Sequence, residues 1–139
     1  IPHRWEFRHD HIGYNYRMPN INAALGCAQL ENLDRYVADK RETAARYVEF
    51  FKGKEDITFF TEPADCKSNY WLNAVVLKDK AAQLDFLEYT NDHGVMTRPV
   101  WELMNRLPMF EHCETDGLEN TEWLADRVVN IPSSVRLDK

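Results

Sequence analysis

The sequence predicts an α+β fold: a small sheet of three or four short, mainly antiparallel strands covered by helices and preceded by a long, bent helix. Three observations predict it. Leu30, Leu33, Val37, Ala44, Val48 and Phe51 recur at the spacing of one helix face. Ile57-Thr-Phe-Phe and Trp71-Leu-Asn-Ala-Val-Val-Leu are short runs rich in β-branched and aromatic residues, as strands are. Ala81, Leu84 and Leu87 then restore the helical period ahead of Gly94.

Taken in order, residues 1–18 set Trp5, Phe7, Tyr14 and Tyr16 among His and Arg with no sustained period. Pro19 suits a first helical turn, where a missing N–H costs nothing, and it biases Met18 away from helix. Residues 19–52 read as helical, with Glu31, Arg35, Asp39, Arg41, Glu42, Arg46 and Glu49 on the polar faces and Gly53 as the stop. Unbroken, that helix would run about 50 Å. A compact chain of this size is only about 35–40 Å across, so a bend is expected near residues 32–34. Pro63, Asp65, Ser68 and Asn69 mark a loop between the first two strands. Residues 80–93 form the next helix, with Phe86 sharing the inward face. Residues 95–100 make a short strand that Pro99 ends or confines to an edge. A helical turn and loop follow over 101–110, and 112–120 are turn-like. Thr121 to Val128 reads as a last helix with Trp123, Leu124 and Val128 inward, and Val129-Asn-Ile-Pro-Ser adds a strand.

A chain of 139 residues is one domain by size and can bury a core. Its net charge of −6 argues against nucleic acid or an anionic membrane as the main partner. No apolar run is long enough to span a bilayer, and no signal peptide is expected. A start at Ile1 without methionine leads to the expectation of a piece of something longer. Cys27, Cys66 and Cys113 are unpatterned in spacing, which predicts reduced thiols in a cytoplasmic protein.

The chemistry concentrates in Gly13-Tyr-Asn-Tyr-Arg-Met-Pro-Asn. If residues 14–17 are extended, Asn15 and Arg17 share one face and the tyrosines the other. An amide, a cation and the start of a helix together make a candidate anion site. The alternative is a helix start with packed aromatics and a solvated Arg17. In Thr97-Arg-Pro-Val-Trp the residues alone read as a core tryptophan beside an edge-strand arginine. Asn69, Tyr70 and Trp71 read mainly as core at a strand start. His3, His9, His11, His112 and Cys113 do not have zinc-site spacing, and no metal is expected.

Residues 13–31 (Gly-Tyr-Asn-Tyr-Arg-Met-Pro-Asn-Ile-Asn-Ala-Ala-Leu-Gly-Cys-Ala-Gln-Leu-Glu) resemble the segment that follows the cofactor lysine in DegT/StrS-type aminotransferases. Ser68-Asn-Tyr-Trp-Leu-Asn, Thr97-Arg-Pro-Val-Trp and Asn130-Ile-Pro-Ser-Ser continue the likeness in the same order. It is nearest to the branch making 4-amino-4,6-dideoxy-N-acetyl sugars for legionaminic-acid-type glycans. The resemblance implies the C-terminal part of a fold-type-I, pyridoxal-phosphate-dependent, homodimeric enzyme. Such an enzyme moves an amino group from glutamate to a 4-keto-6-deoxy nucleotide sugar. It implies a linker and dimer or cofactor-contact segment over 1–33 and a small α+β domain over 34–139. Part of residues 1–18 would then lack its usual packing partner. The resemblance gives Asn15 a bond to the cofactor phosphate of the other subunit, Arg17 a phosphate of cofactor or nucleotide, and Arg98 and Trp101 the sugar pocket. Asn105 stands where a histidine is common, a departure at the sugar contact.

Lys40, Lys52, Lys54, Lys67, Lys78, Lys80 and Lys139 match no cofactor-anchoring position and are expected to be solvated. The chain alone is therefore expected to be inactive. Two other readings stay open, a free-standing ligand-binding or regulatory module and an oligomerisation module that uses the helix after Pro19 as its contact face.

Overall fold

The computed structural model describes residues 3–136; Ile1, the first residue of the expected linker, and Lys139, expected to be solvated, lie outside them. The long helical stretch is two helices, α1 (Asn20–Leu30) and α2 (Leu33–Phe51). They break at Glu31 and Asn32, where the Asn32 side chain donates to the Ala28 carbonyl (3.1 Å). The break adjoins residues 32–34, where a bend is expected.

Beyond α2 come β1 (Ile57–Phe59), β2 (Asn73–Leu77), α3 (Lys80–Asp92) and β3 (Arg98–Pro99). A single 3₁₀ turn (Met104–Arg106), α4 (Glu119–Ala125) and β4 (Val128–Ile131) complete the chain. The strands form one sheet in the order β1-β2-β4-β3 with every pairing antiparallel. Val75 faces Val129 and Asn73 faces Ile131 across the central pair, so the buried side chains share one face by strand alternation. Ala44 of α2 and Leu87 of α3 complete that core with Phe59, Tyr70, Leu77 and Ile131. Pro99 lies on the edge strand, where a missing N–H costs no ladder bond.

Helix boundaries follow local chemistry. Asp79 caps α3 by accepting from the Ala82 N–H (2.8 Å). Gly94 closes it at φ +75°, a left-handed conformation that costs glycine little. Pro19 stands just ahead of α1 rather than within its first turn, with its carbonyl accepting from the Ala23 N–H (3.0 Å).

The predicted inward faces need correction. In α3, Ala81 and Leu84 are exposed, while Gln83 and Leu87 are buried and Phe86 is half-buried. Gln83 takes the inward position because its amide donates to the Ala125 and Val128 carbonyls (2.9 Å each), tying α3 to α4 and β4. Trp123 and Leu124 of α4 face solvent, and the Trp123 ring lies beneath the Arg127 guanidinium (4.5 Å). In α2 the core side carries Ala44, Tyr47 and Phe51, whereas Leu33 and Val48 are exposed. Residues 4–8 do find a partner within the chain: Arg4 pairs with Asp92, and Trp5 packs against the core.

Candidate functional site

Two separate places carry the residues singled out from sequence. Asn15 and Arg17 lie in an exposed, irregular segment leading to α1. The extended alternation stops at Arg17, whose φ is +61°. What links the two residues is a turn in which the Asn15 Oδ1 accepts from the Arg17 backbone N–H (2.8 Å). That bond engages the amide oxygen, and Nδ2 makes no hydrogen bond among the described residues. Behind them, the first turn of α1 has no side-chain cap and no acidic residue, so its N–H donors stay open to an anion.

Arg98 and Trp101 belong to the sheet edge. Thr97, almost fully buried, shares a hydroxyl hydrogen bond with Thr90 (2.6 Å), and its carbonyl accepts from Asn91 (3.1 Å). This anchor fixes where β3 begins and so where Arg98 stands. The Arg98 guanidinium lies over the Phe7 ring (4.6 Å), and Asn130 of the neighbouring strand donates to the Pro99 carbonyl (3.3 Å). Trp101 is no core tryptophan. Its indole is exposed and stacks on that of Trp71, centroids 6.4 Å apart and planes 27° apart. No hydrogen bond, ion pair or ring contact joins Asn15 and Arg17 to Arg98 and Trp101 among the described residues. Asn105 lines a separate hollow with Phe110 and Cys113.

Sequence reasoning missed three features. Trp71, read as core, points outward, and Tyr70 takes the buried position instead. Lys40, read as solvated, donates to the carbonyls of Trp71 (3.4 Å) and Ser133, and burial pushes its ammonium pKa below the usual lysine value while Asp39 pulls it back up. Arg41 clamps both carboxylate oxygens of Glu62 (2.6 and 2.9 Å) and the Ser68 carbonyl (2.6 Å). With the Ser68 N–H also donating to it, the Glu62 carboxyl is held down to about 2. Lys40 and Arg41 lie 21 or more residues from the groups they bind, so spacing offered no signal.

Among the described residues no three His, Cys, Asp or Glu side chains converge, and His11 Nδ1 lies 2.8 Å from Asp10 Oδ1 in the open. The three cysteines are exposed and unpaired with one another. No helix among the described residues is long and apolar enough to cross a membrane.

Residues 2–139 match the DegT/DnrJ/EryC1/StrS aminotransferase family. The chain is 32% identical over 131 residues to a putative pyridoxal phosphate-dependent aminotransferase, EpsN, of Bacillus subtilis, covering 91% of this chain and 34% of that protein. It is also 32% identical over 130 residues to a GDP-perosamine synthase of Escherichia coli O157:H7, covering 92% of this chain and 34% of the relative. It thus spans about a third of the length of the curated relatives it matches. Its fold superposes on the Helicobacter pylori aminotransferase PseC, involved in pseudoaminic acid biosynthesis, with a TM-score of 0.78. That alignment is 20% identical and covers 99% of this chain and 38% of the other.

Proposed function

The chain belongs to the DegT/DnrJ/EryC1/StrS aminotransferase family, and on that premise we propose that it forms the C-terminal part of a homodimeric, pyridoxal-phosphate-dependent sugar aminotransferase. The proposed reaction moves an amino group from glutamate to a 4-keto-6-deoxy sugar carried on a nucleotide. The proposed branch is the one making 4-amino-4,6-dideoxy sugars for legionaminic-acid-type glycans, in the cytoplasm. In this reading residues 1–33 are the contact segment towards the cofactor domain and the other subunit, and 34–139 the small domain.

The observation that carries the reading is the turn at Asn15. Its amide oxygen is engaged by the Arg17 N–H, while its Nδ2 donors have no partner among the described residues, just ahead of an uncapped helix. These residues fit a phosphate monoester, which offers acceptors only and gains from a guanidinium fork and a helix start. When bound, pyridoxal phosphate supplies the electron sink that lets an amino group pass between donor and acceptor. Asn15 would hold its phosphate across the dimer and Arg17 a phosphate of cofactor or nucleotide, while Arg98 and Trp101 would hold the sugar. The lysine that anchors the cofactor is not among the residues described. Lys40 is committed to two carbonyls, and Lys80 pairs with Asp126 (3.7 Å). We therefore expect the 139 residues alone, incubated with pyridoxal phosphate and desalted, to retain no visible absorbance and to transfer no amino group.

Replacing Asn15 by Ala in the intact protein should weaken retention of pyridoxal phosphate by about 1–3 kcal/mol, the range for a hydrogen bond to a charged group. Equilibrium dialysis of the cofactor reads this directly. Unchanged affinity would reject the phosphate role.

A further inference from the structure

An exposed tryptophan is commonly a side chain with nowhere to go, but Trp71 is held in place at several points. The residue is 66% exposed, yet its backbone N–H donates to the Asn69 Oδ1 (2.9 Å) and its backbone carbonyl accepts from Lys40 (3.4 Å). The preceding residue, Tyr70, has φ +45°, a conformation a bulky side chain adopts only when its surroundings impose it. The surroundings do so here. Tyr70 is buried in the core, its N–H donates to Ser68 Oγ (3.0 Å), and its ring lies against the Arg41 guanidinium (5.6 Å) that clamps Glu62. Backbone strain and a part-buried ion pair together aim one indole outward, onto Trp101.

The surface around Trp71 has a matching character, whereas Trp101 lines a different hollow with Glu6 and Glu102. Trp71 separates two shallow hollows of about 510 and 640 Å³ that share Lys40 and Ser134. Arg98 and Asn130 line one hollow and Asn69 the other. No Asp or Glu among the described residues lines either, in a chain with 23 acidic side chains. The Trp71 indole, flanked by amides, hydroxyls and a guanidinium with no carboxylate lining the hollows on its two sides, suits a polyhydroxylated ring that carries an anionic substituent.

We propose that Trp71 is a sugar-positioning residue, pairing with Trp101 as a platform for the hexose face of a nucleotide sugar while Arg98 attends to its charged end. The inference rests on the sugar-aminotransferase reading but assigns a residue that reading does not use. Binding without turnover separates the two. Calorimetric titration of the intact, cofactor-loaded protein with GDP-mannose and dTDP-glucose, each against its nucleoside diphosphate, provides the measurement. Trp71→Ala should weaken whichever nucleotide sugar binds by about tenfold and leave the matching nucleoside diphosphate within about threefold. Trp71→Phe, which keeps an aromatic face, should recover most of the loss.

Equal weakening of sugar and sugar-free ligand would overturn the assignment by making Trp71 a base contact or a structural residue, as would no weakening of either. Wild-type protein that binds neither nucleotide sugar would also overturn it. Cofactor retention is measured in the same samples. A platform that fails while wild type still retains pyridoxal phosphate and aminates a keto sugar leaves the enzyme reading standing. Sugar binding without amination sinks the enzyme reading alone.

Discussion

Glu62 is the residue whose ionisation the fold uses most directly. Its carboxylate receives two bonds from Arg41 and one from the Ser68 N–H, and these lower its pKa from an ordinary 4.5 to about 2. A group depressed in the folded state adds stability that is present above its unfolded pKa and lost as pH falls through the folded one. The contribution should therefore be intact at pH 5 and fade between about pH 4.5 and 2. Chemical denaturation of wild type and Glu62→Gln across that range isolates it, because the other carboxylates cancel in the difference. The gap should narrow steadily on acidification. A gap independent of pH would mean that Glu62 acts by shape and not by charge. The same clamp braces Tyr70, so Glu62→Gln should also move the intrinsic fluorescence of the outward Trp71 without touching the site itself.

At the scale of elements, α3 shows what an apolar pattern reports and what it leaves out. The period of Ala81, Leu84 and Leu87 correctly announces a helix, and Gly94 marks its close. The facing is set by a polar residue, which a count of apolar positions passes over. Gln83 reaches carbonyls 42 and 45 residues away and turns the helix so that Leu84 comes out. Gln83→Leu should cost about 2–3 kcal/mol, since two backbone acceptors lose their donor in a dry interior. Leu84→Ala, despite removing a larger apolar group, should cost no more than about 0.5 kcal/mol at its exposed position. Urea midpoints of the two variants test the order, and the reverse order would restore the facing suggested by sequence. The site follows the same logic. Asn15, Arg17, Arg98 and Trp101 are visible because motifs mark them, and the strand edge is visible from Pro99. The outward turn of Trp71 is not, because a left-handed Tyr70 carries no glycine to announce it and its cause, Arg41 on Glu62, joins residues 21 apart.

At the scale of the whole molecule, α1 is a helix without a core. It buries none of its residues: Ile21 is 82%, Leu25 62% and Leu30 66% exposed. The helix follows directly after the Asn15 turn. An isolated helix of this length is marginal in water, so something must cover it for it to persist. The proposed homodimer would supply a cover, and it would also account for the Asn15 amide, proposed to hold a phosphate, sitting at the same end of the chain. Ile21 and Leu25 stand one turn apart and therefore share a face. Changing both to Glu should leave the urea stability of the small domain (34–139), measured in the same chain, within about 0.5 kcal/mol, because neither residue belongs to its core. In the intact protein the same pair should weaken dimerisation by at least about a hundredfold, from about 1.5 kcal/mol or more lost per side chain. Sedimentation velocity over a concentration series measures this, and cofactor retention should fall in parallel if the phosphate site is completed across subunits. A dimer that survives both glutamates would move the interface off α1, and the cross-subunit role of Asn15 would go with it.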